Sequence, residues 1–95
     1  MGFEWDEAKN AANKKKHGVS FEQAASLFES GDYVEIFDDA HSDDEDRFLA
    51  IGPIPGGMVL VVYTERDTDV LRIIGARWAT KREAETYRSQ QGGKP

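Results

Sequence analysis

Residues 47–77 read RFLAIGPIPGGMVLVVYTERDTDVLRIIGAR. Three runs inside this stretch, 47–52, 58–65 and 70–77, are dense in Val, Ile, Leu, Phe and Tyr, side chains that fit a pleated, half-buried surface. Between them lie only PIPGG at 53–57 and RDTD at 66–69. Parallel neighbours need a crossover of about a dozen residues, so connections this short make the three strands antiparallel. A β-meander is the expected centre of the fold.

Working upstream, residues 33–37 (YVEIF) add a fourth strand. Ser20 followed by Gln23 forms a capping box, and Phe21, Ala24, Ala25 and Phe28 recur at helical spacing, which predicts a helix ending at Ser30-Gly31. Asp6 is a good N-cap for an earlier helix running through Ala8, Ala11, Ala12 and the lysines to His17, with Gly18 as its stop. Residues 3–5 make a short strand ahead of it. Downstream, Thr80 with Glu83 forms another capping box and predicts a helix over 81–90, followed by a frayed tail at 91–95. The expected whole is one α+β domain over residues 1–95. It has an antiparallel sheet, two N-terminal helices and one C-terminal helix gathered mainly on one face, and the other face open to a ligand.

The 95 residues are 39% hydrophobic and 32% charged, with no cysteine. A disulfide framework and a zinc–thiolate site are excluded, and no apolar run reaches the length of a membrane span. The first fifteen residues lack the apolar core of a secretion signal, so the expected location is the cytoplasm. A net charge of −6 argues against a phosphate-bearing partner, but the average hides two unlike halves. Residues 1–46 carry four lysines against thirteen acids, a balance of −9; residues 47–95 carry eight Lys or Arg against five acids, a balance of +3. The basic residues of the second half are mostly arginines on or beside the predicted strands. Asp38, Asp39, Asp43, Asp44, Glu45 and Asp46 form an acidic run, either a solvated loop or a docking patch for a basic partner.

Strand alternation puts Tyr63 and Glu65 on one side of their strand. On the next strand Ile73, Gly75 and Arg77 share a side and Arg72 points opposite, so the two arginines face one groove only if a bulge intervenes. Guanidinium is the preferred planar partner of phosphate, and Arg47, Arg72 and Arg77 accompany Glu65 on successive strands. Gly75 either admits a ligand close to the backbone or packs against a large neighbour. His17 and His41 have the side chain best suited to acid–base work, although His17 also fits a helix C-terminus and His41 lies in the acidic run. The two stand 24 residues apart with no thiol, and the acidic run lacks the glycine of a calcium loop, so no metal or other cofactor is expected. A phosphate-binding loop, a nucleophile elbow and a dinucleotide fingerprint are all missing from the sequence. Trp78 either anchors a partner or caps the last helix.

Four blocks stand in order along the chain: FEWDEAKNAANKKKHGVSFEQA at 3–24, DDAHSDDEDRF at 38–48, VVYTER at 61–66 and RIIGARWATKRE at 72–83. On them, residues 3–87 resemble the BrnT family of type II toxin components. The resemblance implies a RelE-like fold, a ribonuclease that arrests translation, and a BrnA-type antitoxin that binds the toxin and contacts DNA on its behalf. The residues matching the family blocks include His17, Arg47, Glu65, Arg66, Arg72 and Arg77. Arg47, Glu65, Arg72 and Arg77 rank first for chemistry, followed by His17, while Lys15, Lys16, Arg66 and Lys81 are expected along the RNA backbone. The expected reaction is metal-independent attack of a ribose 2′-hydroxyl on the adjacent phosphate, with Glu65 as base, His17 or Tyr63 as proton donor and the arginines stabilising the developing charge. Substrate placement on a ribosome and a homodimer or hetero-oligomer with the antitoxin are compatible with this picture. The competing reading is a non-catalytic protein-binding module that uses the acidic surface.

Overall fold

In the computed structural model, which describes residues 1–41 and 45–92, local signals start and stop the helices. Helix α1 (Glu7–His17) opens on Asp6, whose carboxylate accepts from Lys9 N–H at 3.1 Å, and closes on Gly18, whose N–H donates to Lys14 O at 2.8 Å. Three lysines and His17 occupy its last turn, the end at which the helix dipole favours cations. Helix α2 (Phe21–Ser30) begins with the Ser20–Gln23 capping box, both bonds of which are made. It buries Phe21, Ala24, Ala25, Leu27 and Phe28, and each large side chain removed from water contributes about 1.5–3 kcal/mol. Asp43 and Asp44 of the acidic run, and the last residues of the tail at 93–95, lie outside the described residues.

Strands β2 (Val34–Phe37), β3 (Phe48–Ile54), β4 (Gly57–Asp67) and β5 (Val70–Trp78) form the expected antiparallel meander. Strand β1 (Gly2–Glu4) joins the far side of β5 in parallel, through Gly2↔Val70, Phe3↔Leu71 and Glu4↔Arg72, so the sheet is mixed and runs β1-β5-β4-β3-β2. The short-loop argument governs consecutive strands only, and β1 pairs with the last strand in the chain. At the β3–β4 hairpin Gly56 adopts φ 106°, a conformation open to glycine and strained for other residues.

Two apolar layers cover the sheet. On one face Ala50, Val59, Val61, Tyr63, Leu71, Ile73 and Ala76 pack with the buried stripe of α2. On the other face Val34, Ile51 and Leu60 are covered by Met58, Ala79 and Tyr87, the last from helix α3 (Lys81–Gly92). The helices are therefore divided between the two faces, not gathered on one. The reason lies in β3 and β4, where FLAI and VLVVY are apolar at every position and leave hydrophobic side chains on both sides. Tyr87 O–H donates to Asp32 at 2.6 Å and fixes α3 over the β2–β3 side of this face; toward β5 Thr64, 2% exposed, donates its hydroxyl to Asp46 O at 2.7 Å.

Candidate functional site

Strand β5 carries one residue more than its partner. Gly75 lies opposite Val62 and Ile73 opposite Tyr63, so Ile74 has no counterpart on β4. A bulge of this kind resets the alternation of side chains. Arg72 opposite Thr64, Gly75 opposite Val62 and Arg77 opposite Leu60 consequently share the face on which α3 docks, whereas Ile73 and Ala76 turn into the α2 layer. A Cβ built on Gly75 meets nothing within 4 Å, so the floor between the arginines is open space and not a contact with a large neighbour.

Both guanidinium groups are held by carboxylates. Arg72 Nη1 donates to Glu4 Oε2 at 2.7 Å, and Arg66 Nε, at the second irregularity of the β4–β5 ladder, stands 4.0 Å from the same oxygen. Arg77 makes a two-bond fork with Glu83 of α3, 2.8 Å on each arm. Glu83 also closes the capping box, accepting from Thr80 N–H at 2.8 Å while its own N–H donates to Thr80 Oγ1 at 3.2 Å. The Arg77 hydrogen bonds, aided by Thr80, hold the Glu83 carboxyl down to about 2, and the same carboxylate raises Arg77 further. The side chains of Arg72 and Arg77 remain 33% and 40% exposed. Arg47 is half-buried just before β3, and its carbonyl accepts from Asp38 N–H at 2.8 Å. Phe48 beside it stacks on Tyr63 in the α2 layer.

Glu65 is not part of this group. It shares a side with Tyr63, opposite Leu71, and its charge helps to raise the hydroxyl pKa values of Tyr63 and Tyr33 on the α2 side of the sheet. The expectation that Glu65 stands beside Arg72 and Arg77 therefore fails, since one position of strand alternation separates two faces. Tyr63 is 1% exposed and its hydroxyl donates to Glu35, so it is shut away from the arginines as well. Burial is the main reason its pKa is raised, followed by the Glu35 hydrogen bond. His17 and Lys16 line a groove against Ile74 at the outer edge of β5, while Lys15 and Lys81 are exposed on their helices. Trp78 is half-buried against the α2 layer, its ring beside Gly18 and Gly56.

The carboxylates that do meet the arginines, Glu4 and Glu83, are not among the site residues that the sequence points to. Glu83 was visible as a capping residue, and its place six residues after Arg77 was an available clue. Glu4 depends on the parallel pairing of β1 with β5, for which the sequence carries no local signal.

Fold and face together define a small α+β protein with two partly exposed, carboxylate-paired arginines on one sheet surface. The chain belongs to the family described as the ribonuclease toxin BrnT of type II toxin–antitoxin systems, whose model matches residues 5–83. Among solved structures it is similar to the Brucella abortus ribonuclease toxin BrnT, with 29% identity, 85% of this chain and 99% of that chain covered, and a TM-score of 0.68. No curated protein matches the chain. Membership carries with it a toxin role, an RNA substrate and an antitoxin partner. Among the described residues no helix is long and apolar enough to cross a membrane.

Proposed function

We propose that the face carrying Arg72, Gly75 and Arg77 is where this toxin binds and cleaves single-stranded RNA, without a metal ion. The observation that supports the reading is the Ile74 bulge, which sets two partly exposed guanidinium groups on either side of an open glycine floor. In this reaction the ribose 2′-oxygen forms a bond to the adjacent phosphorus as the bond to the 5′-oxygen breaks. The products are a 2′,3′-cyclic phosphate and a free 5′-hydroxyl, with a proton leaving the attacking oxygen and another delivered to the departing one. The phosphate gains negative charge on the way, and Arg72 and Arg77 stabilise it. Glu4 is the better proton acceptor of the two carboxylates on this face: Glu83 spends both oxygens on the Arg77 fork and on Thr80 N–H, whereas Arg72 and the more distant Arg66 both address one oxygen of Glu4, Oε2. The cut RNA halts translation, and a BrnA-type antitoxin restrains the toxin.

The test is incubation of purified protein with a labelled single-stranded RNA, with and without a chelator, and identification of the product ends. Cyclic phosphate ends formed equally in both conditions are expected. Activity abolished by the chelator and restored by a divalent cation would overturn the metal-free mechanism.

A further inference from the structure

Helix α1 and strand β1 divide the outer edge of β5 between them. β1 pairs with Val70, Leu71 and Arg72 only. Further along, Asn13 takes the place of a strand: its side-chain amide donates to Ala76 O at 2.7 Å and its carbonyl oxygen accepts from Ala76 N–H at 3.2 Å. Between these two anchor points lies the bulge residue Ile74. There Lys9, Ala12, Asn13, Lys16, His17 and Ile74 line a groove of about 290 Å³. Positions 9, 12, 13 and 16 fall on one helical stripe, so a single face of α1 supplies its wall.

The charge in this groove differs from that on the arginine face. Arg72 and Arg77 each hold a carboxylate, whereas among the described residues no acidic group lies within 4.0 Å of the Lys9, Lys16 or His17 side chains. A local patch of uncompensated charge steers an anionic ligand whatever the net charge of the molecule. Ile74 lines the groove and Gly75, the next residue, floors the arginine face, so the two surfaces meet across the strand edge. The lining includes no aromatic ring other than His17 on which bases could stack, which favours contact with a backbone over reading of bases.

We infer that this groove binds the phosphodiester backbone of single-stranded RNA, with Lys9, Lys16 and His17 seating phosphates adjacent to the one that Arg72 and Arg77 act on. The inference rests on the assignment of the arginine face as the cleavage site. Contacts of this type are independent of base sequence and weaken with salt.

The test measures binding of a fluorescent 2′-O-methyl RNA, which cannot be cleaved, across a salt series. A Lys9→Gln/Lys16→Gln variant is expected to bind more weakly at low salt. Its plot of log affinity against log salt should be shallower by about 1.4, roughly 0.7 for each phosphate no longer neutralised. Lys9→Arg/Lys16→Arg should restore the slope, which a merely structural role would not produce. An unchanged slope in the Gln variant, while the wild-type protein still cuts RNA and Arg72→Gln does not, would remove the groove and leave the arginine face standing. A wild-type protein that neither binds nor cuts RNA would overturn both. Loss of antitoxin binding with intact oligonucleotide binding would reassign the groove to a protein contact.

Discussion

Gly52 shows how little room the core leaves at a single residue. A Cβ there would stand 2.4 Å from Asp32 O and 2.7 Å from Leu27 Cδ1, because the chain leaving α2 crosses directly over β3. The backbone oxygen cannot move without displacing the start of β2, so Gly52→Ala should destabilise the fold by about 1–3 kcal/mol, as overpacking does. Urea unfolding measures this, and a variant as stable as wild type would show that the crossing is looser than described. Ile74 acts on the opposite principle, since its contribution is to be unpaired. Read alone, RIIGAR alternates so that Arg72 faces away from Gly75 and Arg77; the extra residue exists only relative to β4, which is why the shared face could be stated from sequence only as conditional on a bulge. Glu65 was misplaced for a related reason. Its side is fixed by Tyr63, whose inward position follows from a buried aromatic layer with Phe28 and Phe48 and not from any signal in VVYTER.

At the scale of elements, features encoded within a few neighbouring residues were legible. Asp6 and Gly18 bound α1, both capping boxes form, and PIPGG and RDTD turn the meander. Features that depend on distant partners were not: the parallel seat of β1 and the docking of α3 on the second face. That docking uses Glu83, and it carries a pH signature. The folded-state pKa of Glu83, about 2, lies below its ordinary value of 4.5, so its stabilising contribution is complete above about 4.5 and is lost as the pH falls toward 2. Glu83→Gln should therefore lower the melting temperature at neutral pH, with the gap to wild type closing between about pH 4.5 and 2. Thermal melts followed by circular dichroism across that range check this. A gap that does not change with pH would mean that the Arg77–Glu83 fork adds no charge-dependent stability.

For the molecule as a whole, the contrast between acidic and basic halves along the chain is not kept in the fold, and both signs of charge meet at the β5 edge of the sheet. Glu35, Asp38 and Asp39 lie at the β2 end, but Lys9, Lys16 and the β5 arginines share the other edge with Glu4 of β1 and with Asp67 and Asp69 at the β4–β5 turn. The proposed RNA site on the β5 side therefore relies on its local cationic groups and not on the net charge of −6. The arginine face is the central claim, and the two faces of the sheet permit a direct test by the rate at which purified variants cut single-stranded RNA. Arg72→Gln/Arg77→Gln should lose roughly 100- to 1,000-fold in rate, as removal of charge-stabilising donors typically does, while Glu65→Gln, on the far face, should cut at the wild-type rate. The reverse pattern, full activity without the two arginines and a collapse without Glu65, would contradict the account.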